Sequence, residues 1–443
     1  MCAARKKRTG QRVALFLNFF PGLSERFIIN EVIGLRARGL TLDTYALNRP
    51  PQGLENKEVP ELIEGTHYIL PSVRAHDLVK KHFYFLFRHP RTWWRTFWFA
   101  WRNRTRGAAL IGSLWQVAVH KRELDKEQRQ NVLLHFVLIV PTAFRLLGKG
   151  YRIIHAQFAD SAASLAMLAA MLIDVPFSFT AHAYDIFTPQ VIFDKKLARA
   201  QFIVTCTRYN KRYLLEHFPE LDAEKIFVNY HGADWRAMTP GRRQGTSVPA
   251  ILSVGRLVPK KGMAVLLHAC KILRDQQFDF KCLIIGDGPE RPRLELFIRL
   301  NHLMDVVEIS GYMPPSEVIE RYREAALFVL PCIIDETGNR DGIPNVIAEA
   351  MAMEVPVIST PVSGIPELIE DGKSGILLEE TSPEALARVI RELAETPHKA
   401  ARIGKAARKR VAAVFDAAKC LDDLHDFFTA QMGAKKTPRE KDI

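Results

Sequence analysis

The chain has no cysteine pair at metal-ligand or redox spacing. Its six cysteines stand singly at positions 2, 206, 270, 282, 332 and 420. That pattern argues against a disulfide framework and a zinc site, and fits a reducing compartment. A membrane-spanning run of about twenty apolar residues is also missing. The stretch NVLLHFVLIVPTAFRLLG, residues 131–148, is apolar but short. Pro141 breaks it and His135 and Arg145 interrupt it, so it reads as a buried or interfacial helix. The N-terminus MCAARKKRTGQ is basic, but the apolar run after it is brief and has no small-residue cleavage site. A secretory signal is therefore expected to be absent. Three glycines at dinucleotide-binding spacing are lacking too: IIGDGPE offers only Gly286 and Gly288. A nicotinamide-dependent oxidoreductase loses its main support with them. Finally, acids are missing between Lys80 and Arg106, where eight residues are Lys or Arg.

What remains is a chain of ordinary globular composition, 48% hydrophobic and 25% charged over 443 residues, long enough for two or three domains. Its net charge of +13 calls for an anionic partner: nucleic acid, an acidic membrane or a phosphorylated substrate. RVALFLN, SERFIINEVIGLRARG and LTLDTYAL read as strand, helix and strand, with Ser24 as N-cap and Gly39 as stop. That order implies a parallel sheet with right-handed crossovers. RIIHAQF, PFSFTAHAYD, QFIVTCT and KIFVNYH continue the series. A polar, basic stretch between Trp235 and Val248 reads as a linker. AILSVGRLV, KCLIIGDG, VVEISG, LFVLP and PVIST then form a second series. The fold class is α/β: two Rossmann-like, doubly wound domains facing a cleft. The boundaries are 1–240, 241–414, a helix at 415–432 and a disordered tail at 433–443.

The densest chemistry lies in DGIPNVIAEAMAMEVPVIST, from Asp341 to Thr360. Gly342 permits conformations other residues resist, and Pro344 suits a first helical turn. Asn345 and Glu349 then share a helix face. Backbone N–H groups at a helix N-terminus favour phosphate, and flanking acids accept bonds from sugar hydroxyls. The architecture suggests a nucleotide-sugar site. In GRLVPKKG, Gly255 ends a strand and Arg256 and Lys261 could neutralise a diphosphate; a solvated basic loop is the alternative. Gly286 and Gly288 fit either close backbone approach to a nucleotide or a plain tight turn. His182, at a strand end, could touch a sugar or phosphate, although on its own a structural histidine is the better reading. His155 and Asp185 make weaker versions of that case, and His231 belongs to a turn before the linker.

Four of the six tryptophans fall between Trp93 and Trp101. A helical wheel puts Trp94, Phe97 and Trp101 on one face, with Trp98 nearby, and Arg91, Arg95 and Arg102 on another. The interval suits an anionic membrane surface, a core helix with solvated arginines, or single-stranded nucleic acid, in that order of preference.

Together these motifs resemble the retaining glycosyltransferase family 4, of the two-Rossmann-domain GT-B architecture. The resemblance covers nearly the whole chain and is strongest from Ile251 to Leu378. It rests on the paired acids Asp341 and Glu349, on Gly255, Arg256, Leu257, Lys261 and Gly262, and on Gly286, Asp287 and Gly288. FPGLSERFIINEVIGL, HAQFA, FTAHAYDIF and RDGIPNVIAEAMA are similar to exopolysaccharide enzymes of the colanic-acid and amylovoran type. The resemblance implies that Arg256 and Lys261 stabilise the departing nucleoside diphosphate. It implies that Glu349 holds the ribose, and that Asp341 with backbone of Gly342, Ile343, Pro344 and Asn345 holds the sugar. His182 would touch that sugar; Gly22, Ser24, Glu25, His155 and Asp185 would lie on the acceptor side. No metal or other cofactor would be obligatory. The last helix would pack back on the N-terminal domain.

The expected activity is retaining hexosyl transfer from a nucleotide diphosphate sugar to a lipid-linked oligosaccharide. The expected place is the cytoplasm, at the inner face of the membrane, with no nucleic-acid partner. A GT-B epimerase or phosphorylase and a non-catalytic nucleic-acid or membrane binder are the rivals. Three positions depart from the family pattern. Asp341 stands where glutamate is common, Glu354 where glycine is usual, and a glycine pair after the first strand is reduced to Gly22. Donor base, sugar, acceptor and linkage stay open.

Overall fold

Strand β1, Arg12–Phe19, is apolar almost throughout and buried at its centre, as a strand covered on both faces of a parallel sheet must be. In a computed structural model describing residues 11–22, 26–50, 60–104, 125, 128–241 and 248–433, it anchors a seven-stranded sheet. The other members are β2 (Thr41–Asn48), β3 (His67–Tyr68), β4 (Ile153–Gln157), β5 (Phe177–Ala181), β6 (Ile203–Thr205) and β7 (Ile226–Val228). Their order is β3-β2-β1-β4-β5-β6-β7. The β1/β2, β1/β4, β4/β5 and β5/β6 ladders are parallel. The order reverses between β1 and β4, and the carboxyl ends of strands at such a point are where open α/β sheets hold ligands.

The second sheet repeats the plan with β8 (Ala250–Val254), β9 (Lys281–Ile285), β10 (Val307–Gly311), β11 (Leu327–Leu330), β12 (Val357–Ser359) and β13 (Ile376–Leu377). Its order is β10-β9-β8-β11-β12-β13, so its reversal lies between β8 and β11. That places Gly255 and Pro331, the residues following those two strands, at the switch point.

The chain divides into two compact units. One takes residues 1–205, 214–227 and 421–443, the other 206–213 and 228–420. The stretch expected to be a linker is packed into the second unit over its described part. Trp235 and Met238 lie on that unit's core, Trp235 Nε1 donates to Asp416 at 3.1 Å, and Arg408 binds the Trp235 carbonyl. A polar composition concealed an anchored segment. The helix Ala417–Gly433 changes unit along its length. Its later residues Leu424 and Phe428 complete the apolar core of the first unit beside Phe20, Ile28 and Phe202.

The helix Val132–Leu146 is buried along most of its length, with Asn131 accepting from the N–H groups of Leu133 and Leu134 as its cap. Among the described residues no helix is long and apolar enough to cross a membrane. The disordered tail expected at 433–443 lies, beyond Gly433, outside the described residues.

Candidate functional site

In the second unit the loop after β8 is zipped to the loop after β9. Leu257 N–H donates to the Asp287 carbonyl at 2.9 Å, and Glu290 N–H to the Leu257 carbonyl at 3.0 Å. A Cβ on Gly286, whose φ is +148°, would stand 1.9 Å from the Gly255 oxygen, and one on Gly288 2.4 Å from the Leu257 oxygen. Packing of two strand ends therefore accounts for both glycines. Gly255 itself has no such need: its Cβ would meet only Lys261 Cε, at 3.5 Å.

The 3-10 turn Pro259–Lys261 then carries two lysines to one carboxylate. Lys260 Nζ lies 3.0 Å from Asp341 Oδ1, and Lys261 Nζ 2.7 Å from Oδ2. All three side chains are less than a fifth exposed. Burial opposes charge on Asp341, but the two ammoniums outweigh it and hold the carboxyl below its ordinary value. Burial likewise works against the Lys261 charge, and Asp341 reverses it, so this ammonium is held above its ordinary value. Lys260 was not singled out from sequence; the only signal for it was the doubled lysine in PKKG. Arg256, in the same loop, is exposed.

Two details of the DGIPN loop correct the sequence reading. Gly342 does not adopt a left-handed conformation, so it is not required there for backbone freedom. Pro344 is the cap residue, φ −62° and ψ 125°, and the helix runs Asn345–Ala352. Proline's fixed φ serves both positions, which is why the two are hard to separate in sequence. Ile343 is buried. The Asn345 side-chain oxygen is enclosed, and no hydrogen-bond partner for it lies among the described residues. One turn on, Glu349 accepts from the hydroxyl of Tyr322 at 3.1 Å. Tyr322 is fully buried, and burial together with the Glu349 charge keeps its hydroxyl protonated. Arg340, beside Asp341, donates to Tyr209 Oη at 3.2 Å. Glu367 fixes that tyrosine's backbone by accepting from the N–H groups of Arg208 and Tyr209 at 2.9 and 2.7 Å, a capping carboxylate at a helix start.

Glu354 closes the same helix with φ +59°. Glu354 N–H returns to the Met351 carbonyl and Val355 N–H to that of Ala350, a helix end of the kind glycine ordinarily occupies. The departure noted in sequence is therefore a real left-handed residue. Glu354→Gly should raise stability by about 1 kcal/mol, the cost of a side chain in this region. A thermal melt that falls or stays level would refute that account.

In the first unit, β4 ends at Gln157 and β5 at Ala181, next to the switch point. His182 Nε2 lies 2.9 Å from Gln157 Oε1, and Gln157 Nε2 donates to Glu31 Oε1 at 2.5 Å. Asp185 accepts from the N–H groups of His182 and Ala159 at 2.7 and 2.5 Å. It is fully buried, and burial pushes its carboxyl up to about 7. Asp185 thus braces the His182 loop from inside and does not face an acceptor. His155 is also interior. Its ring nitrogens bond Ser178 Oγ at 2.7 Å and Thr180 Oγ1 at 2.9 Å, Phe428 packs on its ring, and burial lowers it to about 3. The strand period put both residues near the switch point but gave no information on depth. Gly22 is buried at the end of the β1 segment; Ser24 and Glu25 lie outside the described residues.

The tryptophan-rich interval forms the helix Pro90–Arg102. Thr96 and Ala100 are buried, and Trp93 and Phe97 stack on each other against Phe136. Trp94, Trp98 and Trp101 stand 54, 50 and 40% exposed. Phe97 keeps ring contact with Trp94 and Trp101, at 5.7 and 6.0 Å, as the shared face requires, and is half-buried because it also packs on Trp93 and Phe136. Arg95 leaves its face, donating to the Met171 carbonyl at 3.0 Å. Arg91 and Arg102 share the exposed side with the three tryptophans, and Arg102 sits 5.6 Å over the Trp98 ring. The reason is spacing: positions 93, 96, 97 and 100 form one inward stripe, and 94, 98 and 101 an exposed one.

The chain matches the family model for glycosyl transferases group 1 over residues 242–410 and that for glycosyltransferase family 4 over residues 103–235. It is 40% identical over 176 residues to WcaL of Salmonella typhimurium, a glycosyltransferase assigned to colanic acid biosynthesis; the match covers 40% of this chain and 43% of that one. With the amylovoran biosynthesis glycosyltransferase AmsK of Erwinia amylovora it shares 37% over 195 residues, 44% and 48% of the two chains. The chain thus spans about half the length of the curated relatives it matches. The Anabaena protein HepE, solved with UDP and glucose, superposes over 95% of this chain and all of its own with a TM-score of 0.66 at 16% identity. The two parallel sheets are those of the GT-B fold, and residues 103–235 and 242–410 belong to the family 4 and group 1 glycosyltransferases, respectively.

Proposed function

We propose that the protein is a retaining hexosyltransferase acting in exopolysaccharide or other cell-surface glycan synthesis. It moves a hexose from a nucleotide diphosphate sugar to a lipid-linked oligosaccharide. The observation that carries this reading is the pair of lysines held on Asp341 at the switch point of the second sheet. In transfer, the bond from the anomeric carbon to the diphosphate oxygen breaks as the acceptor oxygen bonds that carbon, and the acceptor's hydroxyl proton passes to the departing diphosphate. Negative charge then grows on the diphosphate. Lys261, Lys260 and exposed Arg256 supply fixed positive charge for it, which is electrostatic stabilisation of a leaving group without an obligatory metal. Glu349, oriented by Tyr322, takes the ribose. Asp341 and Asn345 take sugar hydroxyls.

AmsK and WcaL support the biosynthetic setting, and the UDP and glucose bound by HepE support a nucleotide-sugar donor. Thermal shift against UDP-, GDP- and ADP-sugars tests the reading, because a ligand bound only by the folded state at a hundred times its Kd adds about 2.7 kcal/mol. One nucleotide class should raise the melting temperature; no shift with any class would overturn the proposal.

The exposed tryptophans and arginines of Pro90–Arg102 would hold the enzyme peripherally on the inner leaflet that carries the acceptor. Rings of this kind sit at headgroup depth while guanidinium groups meet anionic lipid. The protein should sediment with vesicles containing phosphatidylserine, and Trp94→Ser with Trp98→Ser should release it. Equal sedimentation of the double variant would remove this surface from the account.

A further inference from the structure

In the first unit a cavity of about 210 Å³ lies between the helices Ala75–Arg88 and Val132–Leu146, with His67 of β3 in a third wall. Thr142 and Arg145 enter it from successive turns of one helix face. Asp77 and Lys81 enter from the other helix, their side chains 2.9 Å apart. Asp77 is the one carboxylate in the walls, and Lys81 neutralises it. Arg145 has no such partner: among the described residues its guanidinium meets no acceptor. Its charge is felt at His67. Burial, and then the positive charges of Arg145 and Lys149, hold that ring down to about 4. The ring is therefore uncharged at neutral pH and stands in a field of positive sign. The cavity thus offers a guanidinium fork, the remaining N–H groups of an ammonium and a threonine hydroxyl, with no free acid. Donors that converge from two helices suit an oxyanion with acceptor oxygens on several sides, which describes phosphate better than a planar carboxylate.

The cavity is also fastened to the exposed aromatic surface. Pro141, in the same wall, has no N–H, which leaves the Val137 carbonyl without its helical donor. His82 Nε2 donates to that carbonyl at 3.2 Å, and His82 Nδ1 accepts from Trp93 Nε1 at 3.3 Å. One histidine therefore pins the helix Val132–Leu146 to Ala75–Arg88 and, through Trp93, to Pro90–Arg102. Phe144 lines the cavity and is itself exposed, with Lys81 Nζ 5.2 Å from its ring centroid. Val79, Phe83 and Phe87 stand exposed farther round the helix Ala75–Arg88. The two helices that carry the outward aromatic side chains are thus held as one block with the cavity.

We infer that this cavity is a binding site for the phosphate of a membrane-lipid headgroup, with Arg145 as its chief ligand and Lys81 and Thr142 as further donors. The lipid as source rests on the proposed peripheral attachment; the demand for an oxyanion rests on the cavity alone. Exposed tryptophans hold a protein at a bilayer without regard to headgroup, whereas a walled guanidinium selects one.

Sedimentation of the full chain with phosphatidylcholine vesicles carrying either phosphatidic acid or oleic acid, matched in zeta potential, tests this. Both surfaces are equally anionic, and phosphatidic acid alone adds an exposed phosphate. The parent protein should bind the phosphatidic acid surface about tenfold more tightly, the scale of one charge-assisted hydrogen-bonded contact. Arg145→Gln should bring that ratio close to one. Lys80 is exposed and outside the cavity, so Lys80→Gln removes the same charge and should weaken both surfaces alike with the ratio kept. Equal binding of the parent to both surfaces would overturn the inference and leave the peripheral attachment standing. A preference unchanged in Arg145→Gln would overturn it as well. Binding to neither surface would remove attachment and inference together. Inorganic phosphate is the arm for a free ligand. If it raises the melting temperature of the parent and not of Arg145→Gln, while the vesicle ratio is one, the cavity takes a free oxyanion and the lipid headgroup is overturned.

Discussion

Asp341→Asn should lower glycosyl transfer about a hundredfold or more, the scale on which removal of one preorganised electrostatic group acts. Two effects combine. The sugar loses an ionised acceptor, and the two ammoniums lose the carboxylate that fixes them 3.0 and 2.7 Å away. The substitution should also weaken the fold, because breaking a poorly solvated ion pair from one side leaves uncompensated charge and costs roughly 3–5 kcal/mol. Activity must therefore be measured below the variant's own melting temperature. Linkage gives an independent check. Asp341 is held below its ordinary value of 3.8, so its contribution to stability is present above that pH and fades as pH falls through the lower, folded-state value. Denaturant titrations should show a steeper acid loss in the parent protein than in Asp341→Asn. Parental turnover in a folded Asp341→Asn protein would remove the residue from the site.

Gly262→Ala should cost about 3 kcal/mol or more, or abolish soluble expression. The backbone there is left-handed, φ +67°, and a Cβ would fall 1.8 Å from the carbonyl oxygen of Pro331. Side chains rotate out of collisions, but a carbonyl in the strand β11 exit cannot. The loop following β8 therefore lies directly on the chain leaving β11, at the reversal of strand order. Gly255→Ala is the control. Its Cβ would meet only the flexible end of Lys261, so stability should change by less than about 1 kcal/mol. Equal stability of the parent and Gly262→Ala proteins, by urea unfolding, would show that the two loops can separate freely.

Period and punctuation made the alternating strands and helices readable from the sequence. β1 and β2 fall within a residue or so of their expected limits, and Val132–Leu146 takes the buried one of its two expected settings, buried or interfacial. Local structure was readable where residues close in sequence build it, as in the loop and helix from Asp341 to Glu349 and the left-handed Glu354 that ends them. It was not readable where the partner comes from elsewhere. Lys260 meets Asp341 from the loop after a neighbouring strand, and Tyr322 reaches Glu349 from another helix. A helical wheel gave the angles around Pro90–Arg102 but not which stripe its neighbours would cover. Phe97 is half-covered because Phe136 packs on it, and Arg95 turns toward the Met171 carbonyl. His155 and His182 look alike in the sequence, each near a strand end. One meets two hydroxyls of the neighbouring strand; the other meets the buried amide of Gln157.

The helix Ala417–Gly433 bears on how the molecule is made. A ribosome completes every strand of both sheets before it reaches Leu424 and Phe428, yet these two side chains belong to the core built around β1. The first-synthesised unit is consequently the last to be sealed. Until then Phe202 and Phe227 lack the rings of Phe427 and Phe428 that cover them, and apolar surface exposed on a nascent chain is what chaperones bind and what aggregates. The second unit has most of its own core in hand by residue 415. Vectorial synthesis thus reverses the order suggested by the sequence: the later half matures first, and the earlier half waits for its final helix.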